Sequence, residues 1–284
     1  MFLRHREQLL TGGTALWFNP PGDLAWREFP APHGCEWQTQ DEMARRTLAD
    51  SGLNVSLTPV PVTDQKLNSI VLSLPREKAR LRLLADALAD CLAPEGVLYL
   101  AGELRAGGRS APAQLTHRFE SIQKIDSARH CVLYAVRKPR ASAGFRLADQ
   151  LQTWTLPCAG TDALIIHSYP GVFADGSLDP GTALLLEQLD KVMRGAGGSA
   201  LDLGCGAGVL GASILRRFPQ WSMDMADSDA LAVSASQATL ERNQLEARVF
   251  ASDGLNSVTD RYDLIISNPP FHAGHRERQD LGAG

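Results

Sequence analysis

One loop constrains the fold of this chain more than any other feature, the run Leu201-Asp202-Leu203-Gly204-Cys205-Gly206-Ala207-Gly208. An apolar segment that ends in an acid and turns through three alternate glycines is typical of a β-strand that leads into a helix. Because glycine has no Cβ, the backbone here can come within contact distance of a ligand. The run therefore predicts one strand–turn–helix unit of a parallel α/β sheet, with a ligand at the carboxyl end of the strand.

The residues of this loop favour S-adenosylmethionine over a dinucleotide as the ligand. In a dinucleotide loop the third glycine would stand at position 209, where this chain has Val209. Asp202 would repel a pyrophosphate, but it can bind the ammonium group of a methionine moiety, and S-adenosylmethionine carries no phosphate. A plain tight turn is the remaining alternative. The predicted cofactor-binding residues of the loop are Asp202, Gly204, Cys205, Gly206 and Gly208.

Two further acids follow the next strands of the pattern. Asp227 stands about 23 residues after Gly204, the place where doubly wound folds keep an acid that accepts from both ribose hydroxyls. Asp229 is better suited to capping the next helix. Asp253 can accept from the adenine amino group, although Ser-Asp-Gly is also common in turns. We therefore predict that Asp227 and Asp253 bind the nucleoside of the cofactor.

The tetrad Asn268-Pro269-Pro270-Phe271, at the end of an apolar strand, indicates the reaction. Two consecutive prolines fix φ and leave their carbonyls free of local ladder bonds. The Asn268 side-chain oxygen and the Pro269 carbonyl can both accept from one NH₂ group and aim its lone pair at the cofactor methyl. Phe271 can stack on a base, which is worth roughly 1–3 kcal/mol. We predict that all four residues are catalytic and that the nucleophile is an exocyclic amine of a nucleic-acid base. A strand-terminating turn is the alternative.

The tripeptide Asn-Pro-Pro also occurs early in the chain, in Asn19-Pro20-Pro21-Gly22. There Gly22 replaces the aromatic residue, and no glycine-rich loop precedes it. We interpret this second tetrad as a turn.

Hydrophobic periodicity predicts two α/β domains, residues 1–145 and 146–284, with the boundary in a polar segment at 137–160. The first contains a parallel βαβ unit and the second a doubly wound sheet. In the first domain we predict strands at 14–18, 69–74, 97–101 and 131–136 and helices at 41–50, 76–92 and 111–120. In the second we predict strands at 163–167, 199–203, 221–226, 247–251 and 262–267 and helices at 181–194, 208–218 and 229–243.

Charge differs between the two halves of the chain, although the net charge is −4. Residues 1–146 hold 19 Lys and Arg against 15 Asp and Glu, whereas residues 147–284 hold 9 against 17. A basic front half suggests contact with a polyanion, and a scatter of charge over an ordinary surface is the alternative. Four basic residues of one predicted helix could line an RNA surface or form a solvated face, namely Arg76, Lys78, Arg80 and Arg82.

Cysteine spacing and hydropathy exclude several classes of protein. The five cysteines are odd in number and form no C-x-x-C pair, so we expect neither a disulfide framework nor a metal site. No apolar run reaches the roughly 18–20 residues of a membrane helix. The start of the chain has no apolar signal core. We expect a cytoplasmic protein without a membrane partner.

These motifs resemble the ribosomal RNA guanine-N2 methyltransferases of bacteria, and most closely their small subunit methyltransferase C family. The resemblance extends over most of the chain and is densest from Tyr169 to Gly274. It includes Tyr169-Pro170-Gly171-Val172-Phe173 with Leu178-Asp179 and Gly181, a segment that folds over the cofactor in that family. Lys124-Ile125-Asp126-Ser127-Ala128-Arg129 also resembles the family. The resemblance implies a degenerate methyltransferase-like first domain that serves the RNA and the stability of the whole, with Leu74-Pro75-Arg76 where N-P-P-F would stand.

The resemblance further implies methyl transfer to the 2-amino group of a guanine in 16S rRNA of the small ribosomal subunit. Other functions stay open from the residues alone. N-P-P followed by an aromatic residue also serves adenine-N6 methyltransferases and protein glutamine methyltransferases, where the aromatic is usually Tyr. A non-catalytic RNA-binding remnant is a further alternative. Only 13 residues follow Phe271, where the family continues with a helix, a strand and a hairpin, so we expect a second domain that is incomplete at its C-terminus or completed by another copy.

Overall fold

The structure, a computed structural model, describes residues 2–5, 9, 14–22, 35–158, 160–173, 176–193 and 197–269. Two of the predicted catalytic residues, Pro270 and Phe271, lie outside these described residues. The described chain forms a front sheet of seven strands, a rear sheet of four strands and a separate two-stranded hairpin. Both sheets are largely parallel, which confirms the predicted α/β fold class.

The front sheet has the strand order β3-β2-β1-β4-β5-β7-β6. Its strands are β1 (Ala15–Phe18), β2 (Cys35–Thr39), β3 (Ser56–Leu57), β4 (Leu67–Ser73), β5 (Leu92–Glu103), β6 (Phe119–Ala128) and β7 (Cys131–Pro139). Its helices are α1 (Glu42–Asp50), α2 (Lys78–Cys91) and α3 (Ala111–Leu115). Shorter helical segments are 3₁₀ at Phe2–His5 and Leu147–Gln150 and π at Leu104–Gly108. The first five strands are parallel, and β7 runs antiparallel to both β5 and β6.

Apolar side chains pack on both faces of the front sheet. One face carries a cluster that includes Leu16, Phe18, Ile70 and Leu84 of α2. The other face carries Trp17, which stacks on Trp37 with the ring centroids 5.4 Å apart. β1 and residues 70–72 of β4 are buried on both faces, so they form continuous apolar runs, as central parallel strands do.

Two predictions made from the sequence are wrong in the front sheet. The helix predicted at 111–120 ends at Leu115, and Phe119 already begins β6. β6 is an edge strand whose side chains alternate irregularly between buried and exposed, so it carries no clear period of two. The parallel βαβ unit is β4–α2–β5, whereas the predicted strand at 131–136 is antiparallel to β5.

The rear sheet repeats the order of the first four front strands, with its members arranged β12-β11-β10-β13. Its strands are β10 (Gly198–Leu203), β11 (Trp221–Asp227), β12 (Arg248–Ala251) and β13 (Leu264–Ile266), all parallel. The helices of this part are α4 (Pro180–Val192), α5 (Val209–Arg217) and α6 (Ala230–Arg242). The order places β10 between β11 and β13, so the carboxyl ends of these three strands meet where doubly wound sheets bind ligands.

The hairpin consists of β8 (Gln152–Leu156) and β9 (Leu164–Ser168). β9 was predicted as a member of the rear sheet, but among the described strands it pairs with β8 alone. Side chains of the α6 region take the place of a neighbouring strand. Asn243 Oδ1 accepts from Ile165 N at 2.9 Å and Thr239 Oγ1 accepts from His167 N at 3.0 Å. Sequence periodicity cannot distinguish these partners from a strand.

Three features of the described chain bear on the classes excluded above. No described helix is long and apolar enough to cross a membrane. Among the described residues, no group of three or more His, Cys, Asp or Glu side chains is placed to hold a metal ion. All five cysteines are free thiols.

The front tetrad lies in a cavity of about 820 Å³ at the carboxyl ends of the front strands. Asn19 follows β1 with a positive φ of 53°, and its side-chain oxygen accepts from Gln40 N at 2.8 Å. Its amide nitrogen donates to Gln40 Oε1 at 3.1 Å. Both ends of the Asn19 amide are thus engaged in joining the end of β1 to Gln40, which follows β2. Leu74-Pro75-Arg76 follows β4 and borders the same cavity.

Candidate active site

The glycine-rich loop joins β10 to α5 and borders a cavity of about 350 Å³. Gly204 has φ +77°, and a Cβ there would meet no atom within 4 Å, so the backbone leaves room for a ligand. Gly208 has φ +79° and caps α5, and a Cβ there would lie 3.0 Å from Met225 Cε and 3.2 Å from Ser236 Cα. The first glycine therefore serves ligand approach, and the last serves the packing of the helix against β11 and α6.

Asp202 lies beneath the loop rather than in the wall of the cavity. Asp202 is 1% exposed, and its Oδ2 accepts a hydrogen bond from Gly211 N at 2.9 Å. Its Oδ1 is buried without a hydrogen-bond partner among the described residues. Burial raises the pKa of Asp202 to about 7. An orphaned carboxylate oxygen at this depth is suited to a cationic ligand group or to a water that bridges to one.

Asp227 connects the end of β11 to the loop. Its Oδ2 accepts from Gly206 N at 2.9 Å and its Oδ1 accepts from Asp229 N at 3.0 Å. Burial raises the pKa of Asp227 to about 6, against the lowering effect of these two backbone bonds. Each oxygen retains acceptor capacity, and Asp227 borders the cavity. Its position is suited to the predicted bond with ribose hydroxyls.

Asp253 has a different environment from the one predicted. Its Oδ2 accepts from Arg46 Nη1 at 2.8 Å and from Asn256 Nδ2 at 3.0 Å. Ser252 and Gly254, its neighbours in the chain, border the cavity, and Asp253 is absent from that lining. The predicted bond of Asp253 to an adenine amine stays a prediction, and the contact present is an ion pair with the front part of the chain.

Cys205 is buried behind the loop, where it accepts a hydrogen bond from Ser236 Oγ at 3.2 Å. Burial raises the pKa of the thiol well above its ordinary value. A neutral thiol in this position fills space beside α6 and is a poor nucleophile.

Asn268 follows β13 and faces the loop across the cavity. Its Nδ2 donates to Asp179 Oδ2 at 2.7 Å and to Thr182 Oγ1 at 2.9 Å. The preceding residue, Ser267, donates through Oγ to Leu203 O at 2.7 Å and so ties the end of β13 to the end of β10. Pro269 also borders the cavity. The amide nitrogen is therefore engaged, and the amide oxygen is the atom that can receive an amine.

The cavity brings together most of the predicted site residues that the structure describes. It is bordered by Gly204, Gly206, Asp227, Asn268 and Pro269, with Asp202, Cys205 and Gly208 packed around the loop. Phe173, which is 54% exposed, forms part of the wall. Motif spacing could not predict the role of Thr182, because Thr182 lies 86 positions from Asn268 in the sequence and contacts it only in the folded chain. Asp179 was found only through the family resemblance.

The front part of the chain supports the cavity through α1 and α2. Arg80 of α2 pairs with Asp229 and donates to Gly171 O at 2.8 Å. Its side chain is 12% exposed, so the structure removes Arg80 from the predicted RNA-facing set. Arg76, Lys78 and Arg82 are exposed. In addition, Ala230 N donates to Gln40 O at 2.7 Å. The two halves of the chain thus meet at Asp229 and Ala230, where α6 begins.

Replacing Arg80 with methionine is expected to lower the free energy of unfolding by about 1–3 kcal/mol, because the variant loses a charge-assisted pair and a bond to a backbone carbonyl. S-adenosylmethionine affinity should also fall several-fold, since Asp229 N is bonded to the carboxylate of Asp227. Thermal melts and calorimetric titration measure both quantities. Arg82→Met is the matched control, because exposed Arg82 lies on the same helix and, within the described part of the chain, its hydrogen bond is to Gln114. Equal losses in the two variants would contradict this role.

Comparison with known proteins gives three findings. The family described as Methyltransferase small domain N-terminal matches residues 1–154, and the family Methyltransferase small domain matches residues 163–283. The Ribosomal RNA small subunit methyltransferase C of Pseudomonas entomophila (strain L48) is 40% identical over 270 residues, which cover 95% of this chain and 78% of the relative. The protein of the same name from Pseudomonas fluorescens is 39% identical over 272 residues, covering 96% and 79%.

A solved structure is also similar over both halves of the chain. It is the T. thermophilus 16S rRNA N2 G1207 methyltransferase in complex with AdoMet and guanosine, with a TM-score of 0.79 and 27% sequence identity. The similarity covers 93% of this chain and 72% of that chain. The glycine loop, the orphaned oxygen of Asp202 and the acceptors of Asp227 fit the corresponding cofactor, because its methionine part carries an ammonium group and its ribose carries two hydroxyls.

Proposed function

The chain belongs to the ribosomal RNA small subunit methyltransferase C family, and from this premise we propose that it methylates the exocyclic N2 amine of a guanine in 16S rRNA. S-adenosylmethionine is the methyl donor. Membership of the family makes the chain a methyltransferase of small-subunit ribosomal RNA. The choice of the guanine N2 atom is the finer part of the proposal.

The geometry of Asn268 carries this proposal. An exocyclic amine has two hydrogens and a nitrogen lone pair that is drawn into the ring. Two acceptors at the end of β13, Asn268 Oδ1 and the Pro269 carbonyl, can take the two hydrogens and hold the nitrogen in one orientation. Catalysis by such a site consists mainly of orientation and of stabilising positive charge on the nitrogen as the new bond forms.

The remaining residues have separate parts in this scheme. Asp227 and the loop glycines are proposed to hold the cofactor, whose chemistry when bound is to present an electrophilic methyl group. Asp202, whose pKa burial raises to about 7, is proposed to supply negative charge beneath the loop when it is ionised. The scheme requires no general base, because a methylated ammonium nitrogen loses its proton readily to water. The three exposed basic residues before and on α2 are proposed to contribute to binding of the small subunit.

The proposal is tested by transfer of labelled methyl from S-adenosylmethionine to small ribosomal subunits that lack the modification. After the reaction, the rRNA is separated from the ribosomal proteins and digested to nucleosides. We expect the label in the rRNA and in N2-methylguanosine. Label in N6-methyladenosine would reject the guanine assignment, and label in protein glutamine would reject nucleic acid as the substrate. No transfer by a folded chain that binds the cofactor would favour the RNA-binding remnant.

A further inference from the structure

We propose that Asp179 and Thr182 are positioning residues, which hold the Asn268 amide in the one orientation that turns its oxygen to the substrate amine. Both belong to the start of α4, Asp179 as its N-cap and Thr182 in its first turn. The proposal rests on the function proposed above, because it explains how that site orients an amine. It concerns a step that any amine substrate would require.

The hydrogen bonds of Asn268 define its orientation. Its Nδ2 has two hydrogens, and the structure supplies two acceptors for them, Asp179 Oδ2 at 2.7 Å and Thr182 Oγ1 at 2.9 Å. A charged carboxylate has no hydrogen to donate, so the amide atom that meets Asp179 must be the nitrogen. If the amide turned over, its oxygen would face a carboxylate oxygen at hydrogen-bond distance and lose both bonds. These two bonds therefore keep Oδ1 away from Asp179 Oδ2 and Thr182 Oγ1.

Asp179 is suited to this role because nearby hydrogen bonds keep its carboxylate ionised. Its Oδ2 also accepts from Thr182 N at 3.0 Å, which caps the helix. This backbone bond and the Asn268 amide lower the pKa of Asp179, so the group is ionised at neutral pH. A negative charge beside the amide nitrogen draws electron density toward the amide oxygen. The same contact thus orients the acceptor and strengthens it.

Gly181 provides a third, steric constraint on the amide. A Cβ at position 181 would lie 2.7 Å from Asn268 Oδ1 and 3.2 Å from Asn268 Cγ. The first separation is shorter than real Cβ contacts and the second is tight, so the α4 backbone lies close against the amide. The first turn of α4 therefore surrounds Asn268 with a carboxylate, a hydroxyl and a bare backbone. A helix N-terminus that was needed only for folding would require the N-cap residue, but it would not require close contact between its backbone and the Asn268 amide.

The test compares Thr182→Val with Thr182→Ser. Valine keeps the shape of this buried residue and removes the hydroxyl, whereas serine keeps the hydroxyl. For each variant we would measure kcat and KM with unmodified small subunits, the Kd for S-adenosylmethionine, and the side-chain NH₂ resonances of Asn268, assigned by their absence in Asn268→Ala. Asp179→Asn is the second variant, since asparagine is as good an N-cap but carries no charge.

We expect Thr182→Val to lower kcat about 10-fold and Asp179→Asn to lower it on the order of 10²-fold, with KM and cofactor Kd little changed. Thr182→Ser should retain most of the wild-type kcat. The Asn268 NH₂ resonances should shift in Thr182→Val and stay near their wild-type positions in Thr182→Ser.

Equal kcat values and unshifted resonances in the valine and serine variants would overturn the proposal. So would a loss confined to KM or to cofactor binding. The resonances need no turnover, so they decide the positioning role even if the wild-type chain proves to methylate a substrate other than guanine.

Discussion

Asn268→Ala is expected to lower kcat for methyl transfer on the order of 10²–10³-fold, because the variant loses an acceptor that both orients the amine and stabilises charge as the bond forms. The Kd for S-adenosylmethionine should change by no more than about threefold, since binding of the cofactor is assigned to the loop and to Asp227 at the end of β11. Single-turnover transfer to unmodified small subunits, together with calorimetric titration of the cofactor, separates the two effects.

Asn268→Asp is the matched variant for this prediction. Aspartate has the shape of asparagine but would place a second carboxylate against Asp179, at a separation where two such groups cannot both ionise. One pKa of the pair should rise, and the proton they share would restore a donor toward Asp179. We expect this variant to be nearly inactive at high pH and partly active at low pH. An alanine variant that keeps kcat within about threefold of wild type would contradict the role of Asn268.

Asp227→Ala is expected to raise the Kd for S-adenosylmethionine on the order of 10²-fold, because it removes a charged acceptor for the ribose and both bonds that fix the loop. Those bonds come from Gly206 N at 2.9 Å and Asp229 N at 3.0 Å. Asp227→Asn is the control, since it keeps the shape but must turn its NH₂ group toward one backbone donor. Its loss should lie between wild type and alanine. Equal Kd values for wild type and alanine would contradict the assignment.

The pH dependence of the wild-type protein provides a second measure of the same residue. Burial raises the pKa of Asp227 from 3.8 to about 6. Cofactor affinity should therefore decline as the pH falls through about 6, where the acceptor becomes protonated. The folded, cofactor-free chain holds more protons than the unfolded chain between these two values, so its stability should decrease as the pH rises across that window. Asp227→Asn should weaken both trends.

Sequence predicted the rear sheet well because its elements follow local rules. The glycine loop, the cap at Asp229 and the strand before Asn268 are each specified by neighbouring residues. Predicted bounds for α5 and α6 differ from the observed ones by a single residue at each end. The alternation of strands and helices predicted a doubly wound sheet. The observed strand order confirms that prediction.

The strands and ion pairs that the sequence did not predict have a different physical origin. Each depends on contacts between distant parts of the chain. β6 was missed because nearly all of its side chains are partly or fully exposed in an irregular order, so its sequence has no period of two. β9 was assigned to the wrong sheet because its free edge is satisfied by Asn243 and Thr239. The pairs Arg46–Asp253 and Arg80–Asp229 join residues 207 and 149 positions apart. Local patterns contain no information about such partners.

The most direct test of the central claim is the nucleoside composition of 16S rRNA from cells that lack this protein, compared with the same cells supplied with the wild-type chain or with Asn268→Ala. We predict that N2-methylguanosine is reduced in the deficient cells, that the wild-type chain restores it, and that Asn268→Ala does not. An unchanged N2-methylguanosine content, or full restoration by Asn268→Ala, would contradict the account.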